Sequence, residues 1–267
     1  MLIYSHREDT KMATIISIVN QKGGVGKTTT SVNISVYLAQ KYGKKVLLVD
    51  LDPQGNATSG LGINKNTLDG TVFNALLENA DFDIVRHVTN HKNLDIIPSN
   101  SDLSAAEINL VSVDSREAVL KKYLANIDQD YDYIIIDCPP SLGLLFINAL
   151  VASRYMIIAV QTEFYAMEGL GLLMGTIQKI QKAYNPSLTI LGVLMTMFDT
   201  RTSLSEQVKA EVQKVFGDLV FKNSIPRNVK LAEAPSYGKA ILDYDRWSKG
   251  AKAYKNVSKE VIDRVEV

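Results

Sequence analysis

The run Lys22-Gly23-Gly24-Val25-Gly26-Lys27-Thr28-Thr29 decides the fold. It follows an apolar, β-rich stretch, Thr14-Ile15-Ile16-Ser17-Ile18-Val19, and opens a helical pattern running from Thr28 towards Gln40. Strand, glycine-rich loop and helix in that order is the context of a phosphate-binding loop. Gly23, Gly24 and Gly26 let backbone N–H groups close around phosphate oxygens without Cβ clashes. The helix N-terminus adds its partial positive charge. In this frame Lys27 reaches the β- and γ-phosphates of a nucleotide, and the Thr28 hydroxyl ligates Mg²⁺.

One departure from the ordinary loop matters. The pattern G-x-x-x-x-G-K-[ST] begins here with Gln21 in place of its first glycine, and a second lysine, Lys22, follows at once. With Lys27 occupying the space over its own phosphates, Lys22 is expected to point outwards, towards a nucleotide held by a neighbouring subunit. The plain alternative is a solvated loop lysine.

The chain has 267 residues, enough for a full core, with 29 basic and 29 acidic side chains. No global electrostatic footprint therefore announces a nucleic acid or a membrane. The balance is uneven, however: from Lys222 to Lys259 nine basic side chains face three acidic ones. One cysteine, Cys138, excludes an intrachain disulfide framework and fits a reducing cytoplasm. The polar start over residues 1–11 shows no leader pattern, and no apolar run reaches the length of a membrane span.

Short apolar runs alternate with longer amphipathic ones. Strands are expected at 14–20, 45–50, 94–98, 133–138, 155–161, 190–198 and 220–225, and helices at 29–41, 116–127, 143–153, 165–184, 205–216 and 247–265. Continuously apolar centres such as Val46-Leu47-Leu48-Val49 and Ile134-Ile135-Ile136 read as strands covered on both faces. The expected class is α/β: a doubly wound, mostly parallel sheet flanked by helices. One domain is expected over residues 13–267, after a loose extension over residues 1–12. Met156, Met167, Met174, Met195 and Met197 read as core packing.

Two further strands deliver carboxylates to the sheet edge where α/β folds bind ligands. Val46-Leu47-Leu48-Val49 leads into Asp50-Leu51-Asp52-Pro53-Gln54-Gly55-Asn56, and Ile134-Ile135-Ile136 into Asp137-Cys138-Pro139-Pro140. A phosphate-binding loop needs a carboxylate near Mg²⁺ and a group that orients the attacking water. Asp137 suits the first role, through a metal-bound water; Asp52 suits the second, with Asp50 supporting the metal shell.

With these motifs the chain resembles the ParA/Soj family of partitioning ATPases, within the deviant P-loop class that also holds MinD. The resemblance extends through Asp50–Asn56-Ala57-Thr58 and a C-terminal block, Ile225-Pro226-Arg227-Asn228-Val229-Lys230-Leu231-Ala232-Glu233-Ala234-Pro235-Ser236-Tyr237-Gly238. It implies an ATPase whose ATP-bound sandwich homodimer places the residue matching Lys22 on the partner's phosphates. It implies non-specific binding of that dimer to double-stranded DNA, and release when a ParB-type centromere-binding partner stimulates hydrolysis. It further implies that Pro226, Arg227 and Asn228 lie against adenine, and that the basic residues Arg201 and Lys230 meet DNA. Lys249 and Lys252 join this set from charge alone, with Arg227 as a further cation.

A basic stripe on a neutral protein, with no helix-turn-helix or zinc pattern, suits backbone binding rather than base readout. These readings place the protein in the cytoplasm, on the nucleoid, with ATP and Mg²⁺ as its ligands and no membrane partner. The rival is a MinD-like, membrane-cycling or other cargo-positioning ATPase. Membrane cycling calls for a terminal amphipathic helix with bulky apolar residues, whereas the end here carries valines that suit packing on the sheet. A small-molecule ATP-dependent ligase is the alternative of another class.

Overall fold

The computed structural model describes residues 12–266, so the expected extension over residues 1–12 lies, Met12 apart, outside the described residues. Seven strands among them form one sheet: β1 Thr14–Val19, β2 Val46–Asp50, β3 His87–Val88, β4 Leu94–Ile97, β5 Tyr133–Asp137, β6 Tyr155–Gln161 and β7 Thr189–Thr196. Their order is β3-β4-β2-β5-β1-β6-β7, parallel except for the β3–β4 pair. The chain leaves β1 for β2 on one side, while β6 lies on the other. The loop after β1 thus sits at the point where the winding reverses, the ligand crevice of open α/β sheets.

Pleating sends alternate side chains to opposite faces. Ile134 and Ile136 enter one core layer with Phe146, Leu150, Leu173 and Ile177; Tyr133 and Ile135 enter the other with Ile34, Leu38, Tyr254 and Val257. The helices are α1 Lys27–Tyr42, α2 Asn56–Gly60, α3 Val72–Leu77, α4 Phe82–Val85, α5 Ala106–Asn109, α6 Val119–Leu124, α7 Leu144–Ala152, α8 Ala166–Ala183, α9 Ser203–Phe216, α10 Val229–Glu233, α11 Ile241–Tyr244 and α12 Lys249–Val265.

Every residue of α1 from Thr30 to Ala39 is buried. A helix covered all round must have its polar side chains satisfied. The Thr30 hydroxyl meets Tyr254 OH at 3.1 Å, Tyr37 OH donates to Ala251 O at 2.8 Å, and Asn33 Oδ1 accepts from Ile241 N at 2.9 Å. All three tie α1 to the C-terminal block. α12 buries Ala251, Tyr254, Val257 and Val261 at helical spacing and exposes Lys252, Lys255 and Lys259. Its apolar stripe is spent on the core, as Val257 and Val261 suggested.

The expected strand at 220–225 forms no full ladder: Val220 bridges Val193 of β7, Pro226 bridges Phe198 just beyond it, and Phe221 N and Ile225 N donate to Val193 O and Met195 O at 2.9 and 2.8 Å. Side chains of α12 take up further backbone groups there. Glu260 accepts from Lys222 N (2.9 Å) and Asn223 N (3.3 Å), and Arg264 donates to Leu219 O and Val220 O at 3.1 and 3.0 Å. The helix expected at 116–127 is broken into a 3₁₀ turn, Arg116–Ala118, and the short α6. The two-residue β3 is too brief to register as a pattern.

Gly62, after α2, and Gly238, after the turn Ala234–Tyr237, stand back to back with φ of +79° and +60°. A Cβ on Gly238 would lie 2.6 Å from Gly62 Cα, whereas Gly43, left-handed at φ +67° after α1, faces open space. Gly43→Ala should cost only the left-handed strain, about 1 kcal/mol, or a melting shift of about 2–4 °C. Gly238→Ala should lose at least twice as much in a thermal melt. Equal losses would show that the glycine contact relaxes freely.

Candidate functional site

The loop after β1 is fixed at both ends. Asn20 Nδ2 donates to Ala159 O at 2.6 Å, and its Oδ1 accepts from Lys22 N at 2.9 Å. Gln21, standing where the usual loop has glycine, uses its amide to reach Gly169 O of α8 at 3.1 Å. Gly24 and Gly26 take φ of +76° and +89°, open to glycine at no steric cost. Val25 O accepts from Thr196 Oγ1 at 2.8 Å, which fastens the loop to the end of β7.

Lys27 is buried, and its ammonium donates to Lys22 O across the loop at 3.1 Å. Burial pulls its pKa down, and the Asp137 carboxylate pulls it back. Lys22 is exposed, its ammonium paired with Glu163 on the segment after β6. The two lysines thus take opposite directions, Lys27 inwards and Lys22 outwards.

Asp50 and Asp137 end neighbouring parallel strands at the same register and are both fully buried. Their environments differ. Asp50 Oδ2 accepts from Thr58 N (2.8 Å) and Thr58 Oγ1 (2.7 Å), and Oδ1 from Asp52 N at 3.3 Å. Burial raises its pKa and the Thr58 bonds oppose the rise. Asp137 Oδ1 accepts from Ser31 Oγ at 2.8 Å, but Oδ2 is buried with no protein donor. Burial and then the Asp50 charge raise its pKa, against the Thr28 and Ser31 hydroxyls. Asp50 is therefore saturated, while Asp137 keeps an open lone pair beside Thr28. Asp52, at the edge of the site, accepts from Gln54 N at 3.0 Å. Cys138 is fully buried, and burial followed by the Asp137 charge pushes its thiol far above the usual range.

A hard divalent cation fits the unpaired Asp137 oxygen and the Thr28 hydroxyl. Among the described residues no three His, Cys, Asp or Glu side chains converge as a metal cage. That donor set suits Mg²⁺, which keeps waters and takes phosphate oxygens rather than an all-protein shell.

Beside the loop lies a cavity of about 420 Å³, bordered by Gly26, Thr29, Thr196, Met197, Pro226 and Asn228 and floored by apolar Ile225, Leu231 and Tyr254. Its size and largely apolar wall suit a planar heterocycle. Met197 departs from the core role expected of it: it lines this cavity with φ at +49°, a left-handed conformation rare for a long side chain. Met156 and Met195 are core residues, with Met167 and Met174 packed against that core.

Behind Pro226 and Arg227 lies a second concavity of about 710 Å³. It brings together Arg201, Arg227, Lys249 and Lys252, from three separate segments, with Asp199 as its one carboxylate. Arg201 Nε and Nη2 donate to the two Asp199 oxygens at 2.9 and 2.7 Å, which holds that carboxyl far below the usual range. Lys230 lies outside this lining; its ammonium donates to Glu233 Oε2 at 2.9 Å and sits 5.7 Å from the Tyr244 ring centre.

Sequence reading passed over Ser31, Thr58, Glu163, Thr196 and Tyr254. Thr58 stands in the stretch that carries the family resemblance, so its hydroxyl was within reach. Ser31 lies one turn after Lys27 on α1 and was equally within reach, whereas Glu163, Thr196 and Tyr254 meet the site only through the tertiary fold and left no local signal.

A family model described as an AAA domain matches residues 13–190. The sporulation initiation inhibitor protein Soj of Bacillus subtilis is 56% identical over 250 residues, 94% of this chain and 98% of its own length. The chromosome partitioning protein ParA of Myxococcus xanthus is 47% identical over 250 residues, 94% of this chain and 88% of its own. A solved structure, cobyrinic acid a,c-diamide synthase from Mycobacterium smegmatis with bound ADP and magnesium, superposes with a TM-score of 0.81 at 38% identity over 93% of both chains.

Asp137→Asn keeps an acceptor for Ser31 and removes a buried charge beside Asp50. The nucleotide- and metal-free variant should melt about 2–4 °C higher, as about 1 kcal/mol of relieved repulsion requires. Added ATP·Mg²⁺ should raise its melting point less than that of the parent protein. A destabilised ligand-free variant would show that the surroundings already compensate the charge.

Proposed function

The chain belongs to the ParA/Soj family of partitioning ATPases, and from that premise we propose that it hydrolyses ATP to switch its own grip on DNA. One observation carries this reading: Pro226 and Arg227 border both the heterocycle-sized cavity and the cationic groove. Adenine seated against Pro226 and Asn228 steadies the segment that aims Arg227 into the groove. Nucleotide occupancy and phosphate-backbone binding are then two faces of one wall.

The loop N–H groups and Lys27 hold the triphosphate, Lys27 exchanging the Lys22 carbonyl for phosphate oxygens. Thr28 and Asp137 would hold Mg²⁺, which would supply charge neutralisation on the phosphates when bound. Asp52, oriented by the Gln54 N–H, positions the attacking water. Asp50 supports the metal shell indirectly, by holding Thr58 and the turn that carries Asp52. In a sandwich homodimer Lys22 trades Glu163 for the partner's phosphates. Two grooves then act as one, and because each phosphate contact releases counterions, doubling the contacts steepens the dependence on salt. A ParB-type partner that speeds hydrolysis separates the grooves and frees the DNA.

No helix among the described residues is long and apolar enough to cross a membrane. The buried α12 stripe supports DNA over a bilayer as the docking surface, and in this reading the ATP-bound protein works on the nucleoid in the cytoplasm. The ligase reading draws on the mycobacterial neighbour alone. The Bacillus relative, closer in identity and matched over nearly its whole length, outweighs it.

Binding to random-sequence duplex DNA across a salt series tests the proposal. It should require ATP·Mg²⁺, be absent with ADP·Mg²⁺ or without nucleotide, and weaken steeply as salt rises. Arg227→Ala or Lys249→Ala should weaken it for all sequences and lower the salt slope by about one per lost phosphate contact. Intact ATPase activity without DNA binding in any nucleotide state would redirect the reading to another cargo.

Asp52→Ala should bind ATP yet hydrolyse it at least about 100-fold more slowly, leaving the dimer on DNA. Undiminished turnover would mean that another group orients the water.

A further inference from the structure

Trp247, the chain's one tryptophan, is 90% exposed. Its backbone is held in place: Trp247 N donates to Asp245 Oδ1 at 3.2 Å, and Ser248 N to Asp245 O at 3.1 Å. Ser248 then caps α12, accepting from Ala251 N at 3.1 Å. Trp247 thus occupies the position just before a helix cap, where an apolar side chain ordinarily folds onto the residue four places into the helix. Here that residue is Lys252, an exposed cation, so the apolar clasp has no second half. Folding does not account for the indole.

Trp247 stands two residues before Lys249, which brings the indole near the edge of the cationic groove. Lys252 and Lys249 line that groove, and Arg246 precedes the indole. An exposed aromatic face bordered by phosphate-binding cations is the arrangement by which proteins hold unpaired nucleobases: the cations track the backbone and the ring stacks on a base. A paired duplex hides its base faces, whereas a frayed end, a bubble or a single strand presents them.

We infer that Trp247 is a base-stacking contact, so that the groove binds DNA carrying unpaired bases more tightly than perfect duplex. The inference rests on the DNA-binding reading and adds a preference that backbone charge alone does not supply.

The lone tryptophan is its own probe. With ATP·Mg²⁺ present, its emission is followed while a random-sequence duplex, or the same duplex with a central unpaired bubble, is titrated in. The bubble should bind more tightly and quench the emission. Trp247→Ala should bind the bubble about tenfold or more weakly than the parent, losing the preference, while Trp247→Phe keeps part of it. The salt slopes should match across all three, since no phosphate contact changes.

DNA binding with unaltered emission, or Trp247→Ala retaining the preference, would overturn the stacking contact while leaving the partitioning reading intact. Failure of the parent protein to bind either DNA would overturn that reading as well. An emission shift with anionic phospholipid vesicles but not with DNA would assign the indole to a membrane surface instead.

Discussion

Asp50 and Asp137 face each other because β2 and β5 run parallel in a register that ends both strands at the same level. Two carboxylates in a water-poor crevice repel strongly, since little solvent screens them. The surroundings are arranged around that repulsion. Thr58 saturates one carboxylate, Ser31 supports the other, and the Lys27 ammonium supplies opposite charge. Of the oxygens of these two carboxylates, Asp137 Oδ2 is the one left without a protein donor. A cation bound there, as proposed, would offset the repulsion between the two buried charges.

The C-terminal block ties this crevice to the surface beyond it. α12 covers α1, the helix that begins at the phosphate loop, and the contacts through Tyr254, Ala251 and Ile241 run between buried surfaces. The first turn of α12 supplies Lys249 and Lys252 to the groove. Loop, heterocycle cavity and groove therefore share one rigid seam, with Pro226 and Arg227 as its thinnest part. A change at the loop has a short path to the cationic surface.

The strand cores and the loop were legible because their signals are local: unbroken apolar runs, glycines at fixed offsets and carboxylates just past strand ends. The single-sheet topology followed from strand–helix alternation. The segment around Phe221 misled, since its apolar residues suit a strand, yet β7 pairs with only part of its backbone and Glu260 and Arg264, some forty residues away, take up other groups. Met197 misled for a similar reason, as neither its left-handed backbone nor its place in the cavity wall is written in neighbouring residues. The basic residues of the C-terminal region were visible as a count. Their division into a groove and a separate Lys230–Glu233–Tyr244 cluster needed three dimensions.

Cys138 closes the strand that carries Asp137, fully buried and with its thiol kept protonated. As the chain's one cysteine it leaves the folded protein inert to alkylating reagents. A cysteine introduced at Asn256, exposed on the groove wall, becomes the one thiol open to a fluorophore or spin label, without removal of the native residue. The buried thiol thus makes the protein a ready subject for distance measurements that would report the proposed pairing of two copies.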